Sequence, residues 1–379
     1  MLDATERRTR QIISLVSASG DLEVSLGSAP VPQPGPDEVV MRVEAAPINP
    51  SDLILLLAGV GASTLTQGGS ADNPTLLGKV ASVERLARRV GQTLPVGNEG
   101  AGTIVEAGGS PAAQALLGRV VAVGPGSGMY GEYRVLRAEQ CLELENGATA
   151  IDGASAWINP LTALGFIETM RRDGHSALAN TAAASNLGQM LVRLCAKDGI
   201  PLINIVRSAE QEQLLSDIGA RYIVNSSAPT FLADLSDAFA ETGATLAFDA
   251  IGGGKLPSQL LECMEGALNR RATTYSAYGS PTHKQVYIYG GLDPQPTVIN
   301  RTFGTTWGLG GWLMTPFLKS LDPSRFTALK QRIASELTTT FASPHAAEVS
   351  LAGALKLDAV AGYTRRATGS KYLIVPQQQ

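Results

Sequence analysis

The chain has 379 residues, of which 44% are hydrophobic and 17% are charged. This composition excludes a disordered chain, and the length predicts two domains, or three, each with its own core. The formal net charge is −4 and no long basic run occurs, which argues against nucleic acid as a partner because phosphate binding needs a clustered positive face.

The part of the chain before about residue 150 is predicted to consist mainly of β-strands. Short apolar runs such as 39–43 and 120–123 are bounded by Pro and Gly, as strands between turns are. Residues 61–95 interrupt this pattern and look like an insertion. Within it, GASTLTQGGSADN predicts a loop and VASVERLARRVG has the periodicity of a helix.

From about residue 157 the pattern changes to alternating helices and strands. Helices are predicted at 161–172, 186–197, 210–218, 231–241 and 257–267, and strands at 176–180, 201–206, 221–225, 245–249 and 285–289. Strands that alternate with helices of this length predict an α/β fold with a doubly wound parallel sheet of the Rossmann type. A helix at 324–337 and a strand at 371–375 are predicted near the end of the chain.

A candidate anion site is the loop Thr181–Gly188, between a predicted strand and a predicted helix. The first N–H groups of such a helix and the positive end of its dipole favour a phosphate. A dinucleotide loop normally carries three spaced glycines, but here Ala182, Ser185 and Gly188 occupy those positions. Ser185 can add a hydroxyl hydrogen bond, and Asn186 tolerates left-handed backbone angles. The loop therefore either binds nucleotide phosphates or is an ordinary turn of small residues.

Arg207 ends the second predicted strand of this region, at roughly the 20-residue spacing where a dinucleotide-binding chain recognises the adenosine ribose. An acidic residue there binds the ribose 2′-hydroxyl, whereas Arg accommodates a 2′-phosphate. Ser208 offers a second hydrogen bond. This pattern predicts NADPH as the cofactor, and the alternative is that Arg207 only solvates the end of the strand.

Motifs in a fixed order along nearly the whole chain resemble the medium-chain dehydrogenase/reductase superfamily. They are INPSD (48–52), VGNEGAGTIVEAG (96–108), GMYGEYRVL (128–136), NPLTALGF (159–166), LAFDAIGGG (246–254), VYIYGG (286–291), FGTTWGLGGWLM (303–314) and GSKYLIV (369–375). Each motif is weak alone, but their joint order is specific. The resemblance implies a β-rich GroES-like catalytic domain at 1–156 and 318–379, and a Rossmann-type NADPH-binding domain at 157–317.

The departures from the superfamily pattern favour its zinc-free quinone oxidoreductase and enoyl reductase branches. Zinc-dependent members carry Cys where this chain has Asn49 and His where it has Asn98, and an amide is not a usual zinc ligand. The three cysteines are widely spaced and form no CxxC pair, so no metal is expected. The enoyl reductase branch often has a catalytic Tyr after the first motif, but LLLAGVGAS (55–63) contains none.

The resemblance implies hydride transfer from NADPH to a quinone or an α,β-unsaturated carbonyl. Asn49 is the first candidate donor to the developing oxyanion, and its alternative is a turn residue before Pro. Tyr130 is a candidate proton donor, or a wall that closes a pocket. The first alternative function is an enoyl-thioester (enoyl-CoA) reductase, for which Arg85, Arg88 and Arg89 are the basic residues of interest. The second is a non-catalytic NADPH-binding sensor.

The resemblance also implies a set of cofactor-binding residues. They are Thr162, Ser185, Asn186, Leu187, Gly188, Arg207, Ser208, Asn225, Ile251, Gly252, Tyr289, Gly290, Gly291, Trp312, Leu313 and Lys371. Thr162 alternatively caps a helix, Trp312 is alternatively a core residue, and Lys371 is alternatively only solvated. The buried Glu of the superfamily pattern, here Glu99, is assigned a structural role. The insertion at 61–95 is expected to reshape access to the substrate.

The N-terminal segment lacks the apolar core of a signal peptide, and the longest apolar stretch, 53–62, is about half of what spans a bilayer. We therefore expect a cytoplasmic protein with no membrane partner. By analogy with the superfamily, whose sheets pair at their edges, we expect a homodimer.

Overall fold

A computed structural model describes residues 7–126, 128–145, 147–365, 368–369 and 371–378. The described chain divides into two compact units. The first unit contains the residues up to Ile158 together with those from Lys330 onward, and the second contains Asn159–Leu329. The predicted domain bounds, 1–156 with 318–379 and 157–317, stay a prediction.

The elements follow one another in this order. The first are β1 (Arg8–Val16), β2 (Asp21–Pro30), β3 (Glu38–Pro47), α1 (Asp52–Leu57), β4 (Thr66–Gly69), β5 (Pro74–Lys79), β6 (Leu94–Pro95), β7 (Gly100–Ala107), α2 (Pro111–Ala115), β8 (Val120–Val123), β9 (Tyr133–Arg137), β10 (Leu142–Glu143) and α3 (Ala150–Gly153). Next come α4 (Ile158–Arg172), β11 (Leu178–Asn180), α5 (Asn186–Asp198), β12 (Leu202–Val206), α6 (Ala209–Asp217), β13 (Tyr222–Asn225), α7 (Phe231–Thr242), β14 (Leu246–Asp249), α8 (Leu256–Arg271), β15 (Lys284–Ile288), β16 (Trp307–Gly311), α9 (Met314–Lys319) and α10 (Pro323–Glu336). The last are β17 (Ala347–Val349), α11 (Leu357–Thr364) and β18 (Tyr372–Ile374).

The first unit is built from two sheets. One has the antiparallel strand order β4-β5-β2-β1-β6, and the other has the order β10-β8-β7-β3-β18-β17, with β9 also pairing with β3. Side chains alternate along these strands: in β2, Leu22 and Val24 are buried whereas Asp21 and Glu23 are exposed. One face of each such strand therefore feeds the apolar core, as period-2 patterning requires.

Residues 61–95, which were predicted to be an insertion, contain the strands β4, β5 and β6, so the prediction of a loop followed by a helix is wrong. β4 and β5 make an antiparallel hairpin, and β5 pairs with β2, which extends the first sheet. The predicted helix contains only a 3₁₀ turn at Glu84–Leu86. Beyond that turn, the Arg89 guanidinium donates to the Leu55 carbonyl and the Ser14 hydroxyl. These tertiary contacts outweigh a short helical periodicity, which is weak alone.

The second unit is a parallel sheet with the strand order β13-β12-β11-β14-β15-β16. This is the order of a doubly wound dinucleotide-binding sheet, so the predicted fold class is confirmed. β11, β12 and β14 are buried at every position, as strands are when helices cover both faces of a sheet. The order reverses between β11 and β14, and such sheets bind ligands at the carboxyl ends of the strands flanking that reversal.

Candidate functional site

The loop between β11 and α5 has the geometry of a phosphate loop although it has lost two glycines. Ser185 is the N-cap of α5, and its Oγ accepts from the Gly188 N–H at 3.1 Å. A Cβ on Gly188 would lie 2.1 Å from the carbonyl oxygen of Ala183, so only glycine fits there. Ala182 holds the left-handed backbone (φ +50°) that a glycine would adopt without strain, at a cost of roughly 1–2 kcal/mol. The glycine that remains is therefore the one that packing demands.

Arg207 follows directly on β12, and its side chain is exposed. Among the described residues, its guanidinium has no hydrogen-bond or ion-pair partner, while its backbone N–H donates to Gln211. The neighbouring Ser208 is the N-cap of α6, so its hydroxyl already accepts from a backbone N–H, at 3.4 Å. Arg207 is therefore available for an anion at the carboxyl end of β12, whereas Ser208 is already engaged.

Asn225 ends β13, and the protein itself uses its amide. Its Nδ2 donates to Glu212 Oε1 at 2.5 Å, and its Oδ1 accepts from the Ser227 N–H at 2.9 Å. This arrangement stabilises the turn after β13, and nothing in it favours a contact with cofactor. The assignment of Asn225 to the cofactor stays a prediction.

A buried carboxylate ties the loops after β11 and β14 together. Asp249 Oδ1 accepts from the Thr181 hydroxyl at 2.7 Å and from the Ile251 N–H at 3.0 Å, and its Oδ2 accepts from the Gly252 N–H at 2.9 Å. The Thr181 hydroxyl in turn accepts from the Ala250 N–H at 2.8 Å. Ile251 and Gly252 therefore lie at the same sheet edge as the phosphate loop. Asp249 was missed in the sequence, where an Asp closing an apolar strand was the available signal.

The end of β15 packs against the same turn. A Cβ on Gly290 would lie 2.6 Å from the Ala250 carbonyl oxygen, so this glycine allows a close backbone approach. Tyr289 directs its hydroxyl to Asn180 Oδ1 at 3.4 Å, and burial raises the pKa of this tyrosine well above its ordinary value. Gly291, the next residue, is exposed. The structure thus brings the backbone of 289–291 close to that of 250–252.

Three other predicted cofactor residues have less favourable positions. Trp312 is 9% exposed, its indole N–H donates to the Thr169 hydroxyl at 3.0 Å, and its ring packs on Phe166, so it is a core residue. Leu313, by contrast, is 65% exposed. Thr162 is buried inside α4, which begins at Ile158, so the alternative prediction of a helix N-cap is wrong. The helix can begin before Pro160 because Pro is tolerated in the first turn of a helix.

In the first unit, Asn49 lies in a network of buried carboxylates. Its Nδ2 donates to Glu99 Oε1 at 2.7 Å, and Glu99 Oε2 accepts from the N–H groups of Trp157 and Ile158 at 3.0 and 2.8 Å. Because an ionised carboxylate only accepts, Glu99 fixes which way the Asn49 amide points. The structural role predicted for Glu99 has this geometric basis.

Asp52 is a second buried carboxylate beside Asn49. Its two oxygens accept from the backbone N–H groups of Asn49 and Asn98, each at 2.8 Å. Burial is the main influence on its pKa and raises it to about 7, against the lowering effect of these hydrogen bonds. Asp52 thus joins the segments that contain Asn49 and Asn98.

Tyr130 is fully buried, and its hydroxyl donates to the Pro47 carbonyl oxygen at 3.0 Å. Burial, together with the nearby Asp52 carboxylate, raises its pKa well above the ordinary value for tyrosine. A proton donor needs to reach the substrate, so this geometry favours the alternative in which Tyr130 closes the interior.

Lys371 lies in the first unit and is half-buried, not merely solvated. Its Nζ donates to the Ser155 hydroxyl at 2.7 Å, and Ser155 Oγ lies 3.5 Å from His345 Nε2. Neither Ser155 nor His345 is in a sequence motif, so sequence reasoning missed both. The predicted contact of Lys371 with a cofactor phosphate stays a prediction.

Among the described residues, no group of three or more His, Cys, Asp or Glu side chains is placed to hold a metal ion. In the same ranges, no helix combines the length and apolar character that a membrane crossing requires. The expectation of a zinc-free protein stays a prediction, which elemental analysis can test.

Comparisons with known proteins give consistent relatives, although no protein-family model matches the chain. The mitochondrial enoyl-[acyl-carrier-protein] reductase of Xenopus tropicalis is 26% identical over 276 residues, and that of Bos taurus is 22% identical over 308. The first match covers 71% of this chain but 66% of the frog protein, so the chain spans slightly less than two thirds of that relative. The second covers 78% and 69%.

Solved structures share the fold over nearly the whole chain. A Mesorhizobium loti protein provisionally assigned as an NADPH:quinone reductase is 26% identical, with a TM-score of 0.72 and coverage of 97% of this chain and 98% of that one. A structure of Etr1p with NADP and crotonyl-CoA has a TM-score of 0.67 at 16% identity, with coverage of 97% and 100%. The chain is therefore similar, in sequence and in fold, to the quinone reductases and enoyl reductases of the medium-chain dehydrogenase/reductase superfamily.

Proposed function

We propose that this chain is an NADPH-dependent oxidoreductase that reduces a quinone or an α,β-unsaturated carbonyl without a metal. The observation that carries the proposal is the exposed guanidinium of Arg207, at the same sheet edge as the phosphate loop, which has no hydrogen-bond or ion-pair partner in the described part of the chain. Its charge complements a 2′-phosphate, which NADPH has and NADH lacks. The relatives support the same cofactor, because the names of two of the matched structures contain NADPH or NADP.

The residues present fit a dinucleotide at this edge. The start of α5 supplies backbone N–H groups and the positive end of a helix dipole, and Gly188 lets this helix start pack closely against the Ala183 carbonyl. Asp249 holds the loops on both sides of the reversal in place. When bound there, NADPH supplies the hydride, and the protein positions and shields it.

In the first unit, we assign Asn49 the role of donor to the acceptor's developing oxyanion. Glu99 takes one Nδ2 hydrogen, which leaves the second hydrogen with a fixed direction. A fixed donor stabilises developing negative charge without reorganisation during the reaction. Tyr130 is not needed for this step, and a reduced quinone can take its protons from water.

Enoyl-thioester reduction is the second candidate, and it is favoured by the enoyl-[acyl-carrier-protein] reductases among the relatives. Of the three arginines considered for an acyl-CoA contact, Arg85 and Arg88 are exposed. Arg89 is directed into the protein, where it hydrogen-bonds Leu55 and Ser14, so it is not part of such a patch. A homodimer and a cytoplasmic location remain predictions.

The proposal is tested by the cofactor preference of Arg207→Ala. Losing one charge-assisted contact of about 1.5–3 kcal/mol raises the Kd for NADPH about 10- to 100-fold and leaves that for NADH unchanged. Arg221→Ala is the matched control, because this exposed arginine precedes β13 at the opposite edge of the sheet. An unchanged NADPH/NADH ratio in Arg207→Ala contradicts the assignment.

The acceptor is tested by stopped-flow NADPH oxidation with a panel of quinones, simple enones and a crotonyl thioester. Turnover of quinones and enones supports the first candidate, and turnover confined to the thioester supports the second. NADPH binding without oxidation by any acceptor leaves the non-catalytic sensor.

A further inference from the structure

Lys371, Ser155 and His345 form a polar chain in the first unit that the proposed reaction does not yet use. Lys371 Nζ lies 2.7 Å from Ser155 Oγ, which lies 3.5 Å from His345 Nε2. Ser155 is 1% exposed, whereas Lys371 and His345, its two hydrogen-bonding neighbours, are half-buried. A buried hydroxyl thus connects an amine and an imidazole that both reach toward the surface of the unit.

The chemistry of the three groups gives this chain a direction. A lysine ammonium has donors only, so Ser155 Oγ accepts from Lys371 and its own hydrogen points to the remaining neighbour, His345. The 3.5 Å contact is at the long limit of a hydrogen bond, as catalytic contacts often are before substrate binds. Nε2 of His345 is then the acceptor, which places the proton of the neutral ring on Nδ1.

The surroundings favour the neutral form of the imidazole and act in both directions on the charge of the amine. Burial and then the charge of Lys371 lower the pKa of His345 to about 4, so the imidazole is neutral near pH 7. Burial lowers the pKa of Lys371, and the carboxylates of Glu99 and Asp52 oppose that effect. Among the described residues, Nδ1 of His345 has no hydrogen-bond partner, so it is the open end of the chain.

The position of Ser155 connects this chain to the proposed oxyanion donor. Ser155 lies two residues before Trp157, whose N–H is held by Glu99, and the same carboxylate holds the Asn49 amide. The polar chain and Asn49 therefore share one buried support. No tyrosine occurs in the segment after the first motif, where enoyl reductases often carry an acid, and Tyr130 is engaged with Pro47.

We propose that Lys371, Ser155 and His345 form a proton relay that protonates the enolate left by hydride transfer to an α,β-unsaturated carbonyl, an inference that rests on the proposed function. Hydride adds to the β-carbon and the alkene electron pair becomes the enolate. The α-carbon takes the proton of His345 Nδ1, Nε2 takes the Ser155 proton, and Ser155 takes a proton from Lys371. The relay resets when water protonates Nδ1 and the same protons move back, which restores the Lys371 ammonium.

The relay separates the two acceptor classes. A reduced quinone carries its charge on oxygen and exchanges protons with water directly, whereas an enolate needs an acid placed at carbon. Ser155→Ala is expected to lower kcat for a cyclic enone about 100-fold or more, the range of a lost general acid. Turnover of benzoquinone and the Kd for NADPH stay unchanged. Ser14→Ala is the matched control, because the hydroxyl of this buried serine of the same unit accepts from Arg89 and donates to the Leu56 carbonyl, and among the described residues it has no contact with the relay.

A second variant separates the relay from a phosphate contact. Lys371→Met is expected to lose enone turnover at saturating NADPH, and its Kd for NADPH is measured separately because a contact of Lys371 with a cofactor phosphate is also predicted. In the wild type, enone kcat falls as pH rises through the lowered pKa of Lys371, because the relay needs its charged form. The remaining enone turnover of Lys371→Met is expected to show no such fall of kcat with rising pH. A variant whose only defect is weaker NADPH binding overturns the relay.

The wild type alone supplies an independent measurement, should a variant fail to fold. Enone turnover in mixtures of H2O and D2O is expected to give a bowed dependence on deuterium content, because several protons move together. A linear dependence, or Ser155→Ala turnover equal to that of the wild type, overturns the relay. Wild-type turnover of quinones but no enone overturns the relay and leaves the proposed function intact, and no oxidation of NADPH by any acceptor overturns both.

Discussion

Replacing Glu99 by Ala is expected to reduce the free energy of unfolding by at least about 3 kcal/mol. The carboxylate accepts three hydrogen bonds, from Asn49 Nδ2 and from two backbone N–H groups, and it is fully buried. Each buried donor left without an acceptor costs about 1–3 kcal/mol, so three donors reach this sum before any cavity is counted. Domain stabilities are about 5–15 kcal/mol, so the effect is large.

Urea denaturation measures this loss, provided that the m-value, the dependence of the unfolding free energy on urea concentration, is the same in variant and wild type. Glu84→Ala is the control because Glu84 is exposed. A Glu99→Ala protein within about 1 kcal/mol of the wild type would refute the reasoning. Glu99→Gln tests the link to chemistry, since its oxygen can keep the two backbone bonds while its NH2 group forces the Asn49 amide to flip. For Glu99→Gln we expect a free energy of unfolding near that of the wild type. We expect its kcat for reduction of the acceptor by NADPH to fall about 100- to 1000-fold, which is the effect of losing one oxyanion donor. An unchanged kcat would remove Asn49 from that role.

Three further predictions concern the loop, the core and a buried acid. Gly188→Ala places a Cβ 2.1 Å from the Ala183 carbonyl oxygen, so the Kd for NADPH measured by calorimetry is expected to rise at least about 10-fold. Trp312→Ala is expected to lower the free energy of unfolding, measured by urea denaturation, by about 3–5 kcal/mol. Trp312→Phe is expected to lower it less, because a Phe ring fills most of the space and the main loss is the hydrogen bond to the Thr169 hydroxyl. Folding raises the pKa of Asp52 to about 7, so the protonated carboxyl stabilises the folded state at pH 4 and this contribution is lost as the pH rises to 7. The contribution of Asp52 to the free energy of unfolding should fall by at most about 4 kcal/mol over this range. Urea denaturation at each pH should show that Asp52→Asn lacks this fall.

The parallel sheet could be predicted from sequence because each of its strands is a short apolar run between helices with a period of 3.6. The turn between β11 and α5 could be predicted because a helix start needs small residues and a cap, here Ser185, more than it needs three glycines. Trp312 could not be assigned, since an aromatic residue in a pattern is compatible with a cofactor wall and with a core. The insertion was mispredicted because pairing with β2 outweighed its local periodicity.

The relay could not be predicted because its residues are far apart in the sequence. Ser155 and His345 are 190 residues apart, and no local pattern connects positions so far apart. The chain has only three histidines, so the available signal was their scarcity. Asp52 and Asp249 were missed for a related reason, since their importance lies in the backbone N–H groups that folding brings to them.

The hairpin of β4 and β5 changes how the insertion should be manipulated. A loop can be shortened with little harm, but removing this hairpin would uncover the hydrogen-bonding edge of β2 at residues 21–24. Bare strand edges recruit other chains, so such a truncation is expected to precipitate before any effect on substrate access can be measured. Grafts between relatives should therefore exchange β2, β4 and β5 as one block.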